Sequence, residues 1–304
     1  MNEFDANSTQ RAGFIAFVGA PNAGKSTAIN QIVGTKVSIV SPKVQTTRTR
    51  VLGILMHEES QIIFVDTPGI FAPKRRLDRA MVAAAWGGAA DADHIVLLVD
   101  AKRGFCDETR AIIGTLKEQN RKALLIINKI DLVDKERLLG LAQKLNEEEI
   151  FSDIFMVSAK NNDGLDHFVN FIADKLPQGP WLFPEDQVSD MPERLLAAEI
   201  TREKLYLKLR QELPYSTTVE TETWEEKPDG SVRIDQVVYV ARDGQKKIIL
   251  GKGGQQIKSI GANARHELEE ILECRVHLFL FVKVRDKWSD DPERYKYWGL
   301  DYNA

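Results

Sequence analysis

The sequence predicts an open, mostly parallel α/β sheet followed by a smaller α+β unit. Three observations carry this. Five short apolar runs rich in branched residues alternate with longer amphipathic segments over residues 14–176. A glycine-rich loop ending in Lys-Ser joins the first run to the first amphipathic segment. Beyond a proline-rich stretch the alternation gives way to an amphipathic segment, two alternating runs, a second glycine-rich loop, a long helical pattern and a final apolar run.

The five runs are 14–18, 62–65, 95–99, 124–127 and 154–157. Each has strand length, and unbroken apolarity suits strands covered on both faces by helices. Segments 25–33, 77–85, 107–119, 135–148 and 165–175 read as those helices. Residues 50–58 read as an extra strand, too close to 61–65 for a crossover helix, so the two should pair antiparallel. Pro177, Pro180, Pro184 and Pro192, with Gly179, mark a linker over residues 178–191. An amphipathic helix over 193–210 follows, with Pro192 just before it. Stretches 216–224 and 232–240 flank Pro228-Asp229-Gly230, which predicts a hairpin. Loop 251–254, a helix to about residue 272 and a strand over 276–284 complete the unit. The expected organisation is a polar extension (1–10), a first domain (11–177), the linker, a second domain (192–287) and a tail (288–304) to which no element is assigned.

Composition narrows the function. Among 304 residues, 43 % are apolar, enough for two domains with real cores. The net charge of −4 gives no global pull toward nucleic acid, so any such site must be local. Two distant cysteines, Cys106 and Cys274, form neither a disulfide framework nor a zinc pattern. The polar start resembles no signal peptide, and no apolar run reaches membrane-spanning length. A cytosolic protein is expected.

The chemistry lies in four motifs placed at the ends of the apolar runs. Gly19-Ala20-Pro21-Asn22-Ala23-Gly24-Lys25-Ser26 has the spacing of a phosphate-binding loop between a strand and a helix. Its backbone amides and the helix N-terminus suit phosphate oxygens. Lys25 is expected to reach the β and γ phosphates, and Ser26 to ligate Mg²⁺. Asp66-Thr67-Pro68-Gly69 follows another run. Asp66 is placed to hold Mg²⁺ through water, and the Gly69 amide to sense a γ-phosphate. Asn128-Lys129-Ile130-Asp131 supplies base recognition. The Asp131 carboxylate accepts from guanine N1–H and the 2-amino group, and adenine offers neither donor. The backbone of Ser158-Ala159-Lys160 is expected against the guanine carbonyl. Ligands bind at the carboxyl ends of strands in open α/β sheets, and all four motifs fall there. The expected ligands are therefore GTP and GDP. Between the first helix and Asp66 lies Gln45-Thr46-Thr47-Arg48-Thr49. A threonine there would bind Mg²⁺ with the γ-phosphate present and let go on hydrolysis. Thr47 is the better candidate by analogy with GTPases that carry Thr-Arg at this place. A second switch is expected from Thr67 to about Ala90, weakened at Gly87-Gly88. Lys25, Thr47, Asp66 and Gly69 are the expected catalytic set. Ile70 stands where many GTPases carry a water-orienting glutamine, so slow hydrolysis is expected.

These motifs, read with Gln45-Thr46-Thr47-Arg48, Arg210-Gln211-Glu212-Leu213-Pro214-Tyr215-Ser216 and residues 248–261, resemble the Era family of bacterial ribosome-assembly GTPases over nearly the whole chain. The resemblance implies a P-loop GTPase domain and a KH-type RNA-binding domain whose GxxG loop is Gly251-Lys252-Gly253-Gly254. Ile249, Gly251, Lys252, Gly253, Gly254 and Lys258 are the RNA-binding residues it implies. Locally the charge agrees: Arg242, Lys246, Lys247, Lys252 and Lys258 face the single acid Asp243 within residues 242–258. The resemblance also implies binding near the 3′ end of small-subunit ribosomal RNA and a role in 30S assembly. A monomer, and peripheral contact with the inner membrane, are further implications. Related GTPases with asparagine at the Asn22 position use it toward a K⁺ ion beside the phosphates.

Overall fold

A computed structural model describes residues 9–304, so most of the polar N-terminal extension lies outside the described residues. The chain forms two compact units. One comprises the chain up to Ser38, Thr47–Asp190 and Lys296–Ala304; the other comprises Ile39–Thr46 and Met191–Tyr295.

The first unit runs β1 (Arg11–Gly19), α1 (Lys25–Val33), β2 (Val51–His57), β3 (Ser60–Asp66), α2 (Arg76–Ala90), β4 (His94–Asp100), α3 (Asp107–Glu118), β5 (Ala123–Asn128), α4 (Lys135–Asn146), β6 (Phe151–Val157) and α5 (Leu165–Lys175). The sheet order is β2-β3-β1-β4-β5-β6. All pairs are parallel except β2 with β3, which pair antiparallel as the short connection requires. Alternate residues of β1 serve two cores. Ala16 and Val18 join one with α2 and α3; Ile15 and Phe17 join the other with α1 and α5. Phe17 stacks edge-on against Phe64 and Phe168, with centroids 5.5 and 5.9 Å away. Both faces are thus covered, which is why the strands read as unbroken apolar runs.

α2 extends five residues past its expected end and passes through Gly87-Gly88. Gly88 is buried, and a Cβ there would sit 3.5 Å from Val65 and Thr67 atoms. Close packing on the sheet offsets the weak helical propensity of the pair. Residues 178–190 are held to this unit. Leu182 and Phe183 amides donate to Gln61 Oε1, Ile54 N–H donates to Val188 O, and Leu52 N–H to Asp190 Oδ1.

The second unit contains α6 (Glu193–Lys208), β7 (Thr217–Glu226), β8 (Val232–Val240), α7 (Asp243–Leu250), α8 (Gln255–Leu272), β9 (Val276–Val284) and most of α9 (Pro292–Tyr297). Pro192 caps α6 as expected, and β7–β8 form the antiparallel hairpin; β9 joins β8 in parallel. α7 was not apparent in the sequence. It spans eight residues and opens on Asp243-Gly244, a pair that reads as a turn. Helices cover one sheet face, with Ala198, Leu205, Ile249 and Ile260 clustered with Val238 of β8. The segment Ile39–Thr46 lies along α6. Ile39 is buried with Ala197 and Ile200, Val40 N–H donates to Glu203 Oε1 at 2.7 Å, and Lys43 Nζ donates to the carbonyls of Tyr206 and Leu209. The expected tail carries structure too: buried Trp288 donates to Ser216 O at 3.2 Å, and Arg294 pairs with Glu220.

Candidate active site and nucleic-acid interface

At the carboxyl end of β1 the chain turns through Gly19–Gly24 into α1. Gly24 has φ +105°, and a side chain there would collide with Asn128. A Cβ on Gly69 would meet Pro21 Cα at 2.9 Å, so the Asp66–Gly69 segment lies close against this loop. Only glycine permits either approach. Ile70 N–H donates to Gly19 O at 3.0 Å while its side chain turns into the core. It therefore presents no polar atom of its side chain to a nucleophilic water.

Three side chains converge on Asp66, which is fully buried. Ser26 and Ser38 hydroxyls each donate to its Oδ2 at 2.6 Å, and the Thr47 hydroxyl lies at 3.3 Å from that oxygen and 3.0 Å from Ser26 Oγ. The other oxygen, Oδ1, is buried without a hydrogen-bond partner. Thr46 instead bonds Lys43 O and Ser41, so of the two threonines Thr47 is at the cluster. Ser38 was not foreseen. It sits 28 positions from Asp66 and is placed by Asn30, whose Oδ1 accepts from the amides of Val37 and Ser38.

Lys25 is buried, its Nζ donating to Gly19 O at 3.2 Å. Burial lowers its pKa to about 8 against the opposing pull of Asp66. Burial likewise pushes the Asp66 carboxyl up, opposed by Lys25 and the three hydroxyls. A cation and an anion are thus held dehydrated, ready to gain from a charged ligand.

The base-recognition motif is tied to the loop rather than merely near it. Asn128 Nδ2 donates to Ala23 O at 2.9 Å, and its Oδ1 accepts from the amides of Lys129 and Ala159. Lys129 has φ +65°; its Nζ donates to Asn22 O and pairs with Asp100 Oδ2, both at 2.6 Å. Asp100 was also missed, since its role depends on folding β4 beside β5. Asp131 is exposed and accepts from Ser158 Oγ at 2.6 Å, which orients its carboxylate. Thr67 anchors Asp66-Thr67-Pro68 by donating to Phe17 O at 2.6 Å. Ile130 lies in a short 3₁₀ turn, and Lys160 is exposed.

In the second unit, Gly251, Gly253 and Gly254 have φ values of +69°, +59° and +76° between α7 and α8. Lys252 and Lys258 are exposed. Ile249 corrects an expectation. It is fully buried among core residues and has no surface to offer RNA, leaving exposed Ile248 and half-buried Leu250 and Ile257 as apolar groups beside the loop.

Comparison with known proteins agrees with both units. Residues 14–129 match a family described as 50S ribosome-binding GTPase, and residues 212–289 match the KH domain. GTPase Era of Brucella suis is 59 % identical over 99 % of this chain and 96 % of its own length. The chain belongs to the Era family of GTPases. GTPase Era of Mesorhizobium japonicum is 60 % identical over 96 % of this chain and 94 % of its own. Two solved Era structures are 41 % identical, with a TM-score of 0.90, covering 95 % of this chain and 99 % of theirs. One is a point variant of Aquifex aeolicus Era bound to GDP·AlF₄⁻; the other is Era with MgGDPNP and nucleotides 1506–1542 of 16S ribosomal RNA. The Era assignment makes this chain a GTPase with a KH domain. Among the described residues no helix is long and apolar enough to cross a membrane.

Proposed function

We propose that this Era-family GTPase hydrolyses GTP at the β1–α1 loop and binds the 3′ region of small-subunit ribosomal RNA through its GxxG loop during 30S assembly. The observation that carries the nucleotide half is the convergence of Ser26, Ser38 and Thr47 on one buried carboxylate beside a buried lysine. In this reading Gly19, Ala20, Pro21, Asn22, Ala23 and Gly24 wrap the phosphates, Lys25 neutralises them, and Asp131 selects guanine. The backbone of Ser158, Ala159 and Lys160 completes the base site. Gly69 offers its amide to the γ-phosphate.

The cluster fits Mg²⁺. The donors are hard oxygens, and the unpartnered Asp66 Oδ1 is a buried acceptor. Ser26 and Thr47 would hold the ion directly and Asp66 through water. The ion when bound supplies positive charge to the phosphoryl oxygens. The half-buried Asn22, at φ +63°, carries an amide oxygen suited to K⁺. The side chains do the rest: they align the polyphosphate, and Thr47 reports on its length by staying or leaving. With Ile70 turned into the core, no side chain in that position orients water, which suits a slow switch.

The RNA half rests on the KH domain, the positive-φ glycines, the exposed lysines and the ribosomal RNA held by the Era relative. A GxxG loop clamps the backbone of about four nucleotides. The family resemblance extends the reading to a cytoplasmic monomer that touches the inner membrane only peripherally; sedimentation velocity and vesicle flotation test that part. The RNA test is Lys252→Asp with Gly253→Asp. Affinity for small-subunit ribosomal RNA should drop sharply and its salt dependence become shallower, with GTP binding unchanged. A folded double variant that binds this RNA as wild type places the site elsewhere.

A further inference from the structure

We propose that the cleft between α3 and α4 is a second RNA site, on the GTPase unit, which takes one nucleotide of a strand. This rests on the reading that the chain binds ribosomal RNA. The cleft has a volume of about 380 Å³, and Arg110, Arg137 and Lys144 line it without any carboxylate. On a chain of net charge −4, such a cluster needs a cause. None of the three is ion-paired among the described residues. The nearby acid Glu108 is taken by Arg103 at 2.9 Å. Two of the cations are held in place. The Arg110 guanidinium stacks 4.8 Å from the Phe105 ring centroid, and Arg137 Nη2 donates to Lys102 O at 2.7 Å. An arginine has five donors, so both keep hydrogens for a phosphate. The stacked Arg110 also leaves a planar face for a base.

Gly140 adds an independent observation. It lies inside α4, on the cleft wall, exposed, and a Cβ there would meet nothing within 4 Å. Packing does not require glycine, and glycine weakens a helix relative to alanine. What the missing side chain does provide is close approach to the helix backbone. Cations for the phosphate, a flat stack for the base and an open wall between them are the needs of one nucleotide of an RNA strand.

The test uses the full chain with two probes: complete small-subunit ribosomal RNA, and an oligonucleotide just long enough for the GxxG loop. Arg110→Glu with Lys144→Glu should weaken binding of the complete RNA at least tenfold. The slope of log K against log salt should fall by roughly 1.4–1.8, the loss of about two phosphate contacts. Gly140→Leu, which improves helix propensity and so keeps the fold, should also weaken that binding by filling the cleft. The short oligonucleotide should bind all variants as wild type, and GTP hydrolysis without RNA should not change. If both cleft variants hold the complete RNA normally while Lys252→Asp with Gly253→Asp loses it, the cleft site is refuted and the GxxG reading stands. If all three variants bind normally, RNA recognition itself lies elsewhere. Loss of inorganic phosphate or mononucleotide binding in the cleft variants, with RNA affinity intact, also overturns the proposal, because the cleft then serves a small anion.

Discussion

Nucleotide binding should be coupled to proton uptake at Lys25. With its pKa lowered by burial to about 8, this lysine is largely neutral in the free protein at alkaline pH. A bound polyphosphate restores an opposite charge beside it and returns the pKa toward the usual 10.4 or so. At pH 9.0 about 0.9 of the free-state lysine is deprotonated, against about 0.2 at pH 7.5, so uptake should rise between those limits. GTP and GDP phosphates are essentially ionised over this window and add little. The fraction able to bind without taking up a proton falls about eightfold, so affinity should weaken by roughly 1.2 kcal/mol from pH 7.5 to 9.0. Isothermal titration calorimetry in buffers of different ionisation enthalpy reads the proton number directly. Lys25→Arg keeps the charge but cannot titrate. The wild-type minus variant difference also removes any proton released by Asp66, whose own pKa is raised by burial. The same shift has a sign for stability. A lysine whose folded pKa is depressed makes the free protein more stable as pH rises from about 8 toward 10.4, because the unfolded chain binds the extra proton. Equal proton uptake by the wild type and Lys25→Arg at pH 9.0 would refute a neutral Lys25.

Other outcomes follow from the base and phosphate ends of the site. Asp131→Asn should cost GTP about 2 kcal/mol, near 30-fold in affinity, while xanthosine triphosphate becomes the better ligand; equilibrium binding of both nucleotides decides this, and retained GTP preference would show the base is read elsewhere. Intrinsic hydrolysis should lie roughly in the 10⁻⁴–10⁻² s⁻¹ range and be faster in K⁺ than in Na⁺ at equal ionic strength, measured as phosphate release; equal rates would remove Asn22 from ion binding.

Much of this architecture was legible because its determinants are local. Strand–loop–helix order and the spacing from Gly19 to Ser26 locate the phosphate loop without tertiary information, and the short gap before residue 61 fixes β2 as antiparallel. What escaped depends on distance along the chain. Ser38 and Asp100 become site residues only when β3 and β5 bring Asp66 and Lys129 beside them. The sequence offered Asn30 and a polar residue within an apolar stretch, but nothing to join them to Asp66. α7 was hidden by its length and its Asp-Gly start. Ile249 was misread because an apolar residue beside a recognition loop looks the same whether it faces the ligand or the core.

The pairing of Ile39–Thr46 with α6 has a consequence for synthesis. Val40 bonds Glu203, 163 positions downstream, whereas Ser38 and Thr47 on either side bond Asp66. As the chain leaves the ribosome, β1 to α5 can assemble first, because all six strands of their sheet and the helices on both its faces are made by residue 190. The eight residues between Ser38 and Thr47 must wait, tethered at both ends, until α6 exists. The first unit in turn takes in Lys296–Ala304, more than a hundred residues beyond α5. Neither unit is therefore a clean fragment. Cutting near residue 190 leaves residues 39–46 without the helix they pack on, and loop closure over such separations makes the last docking steps the slow ones.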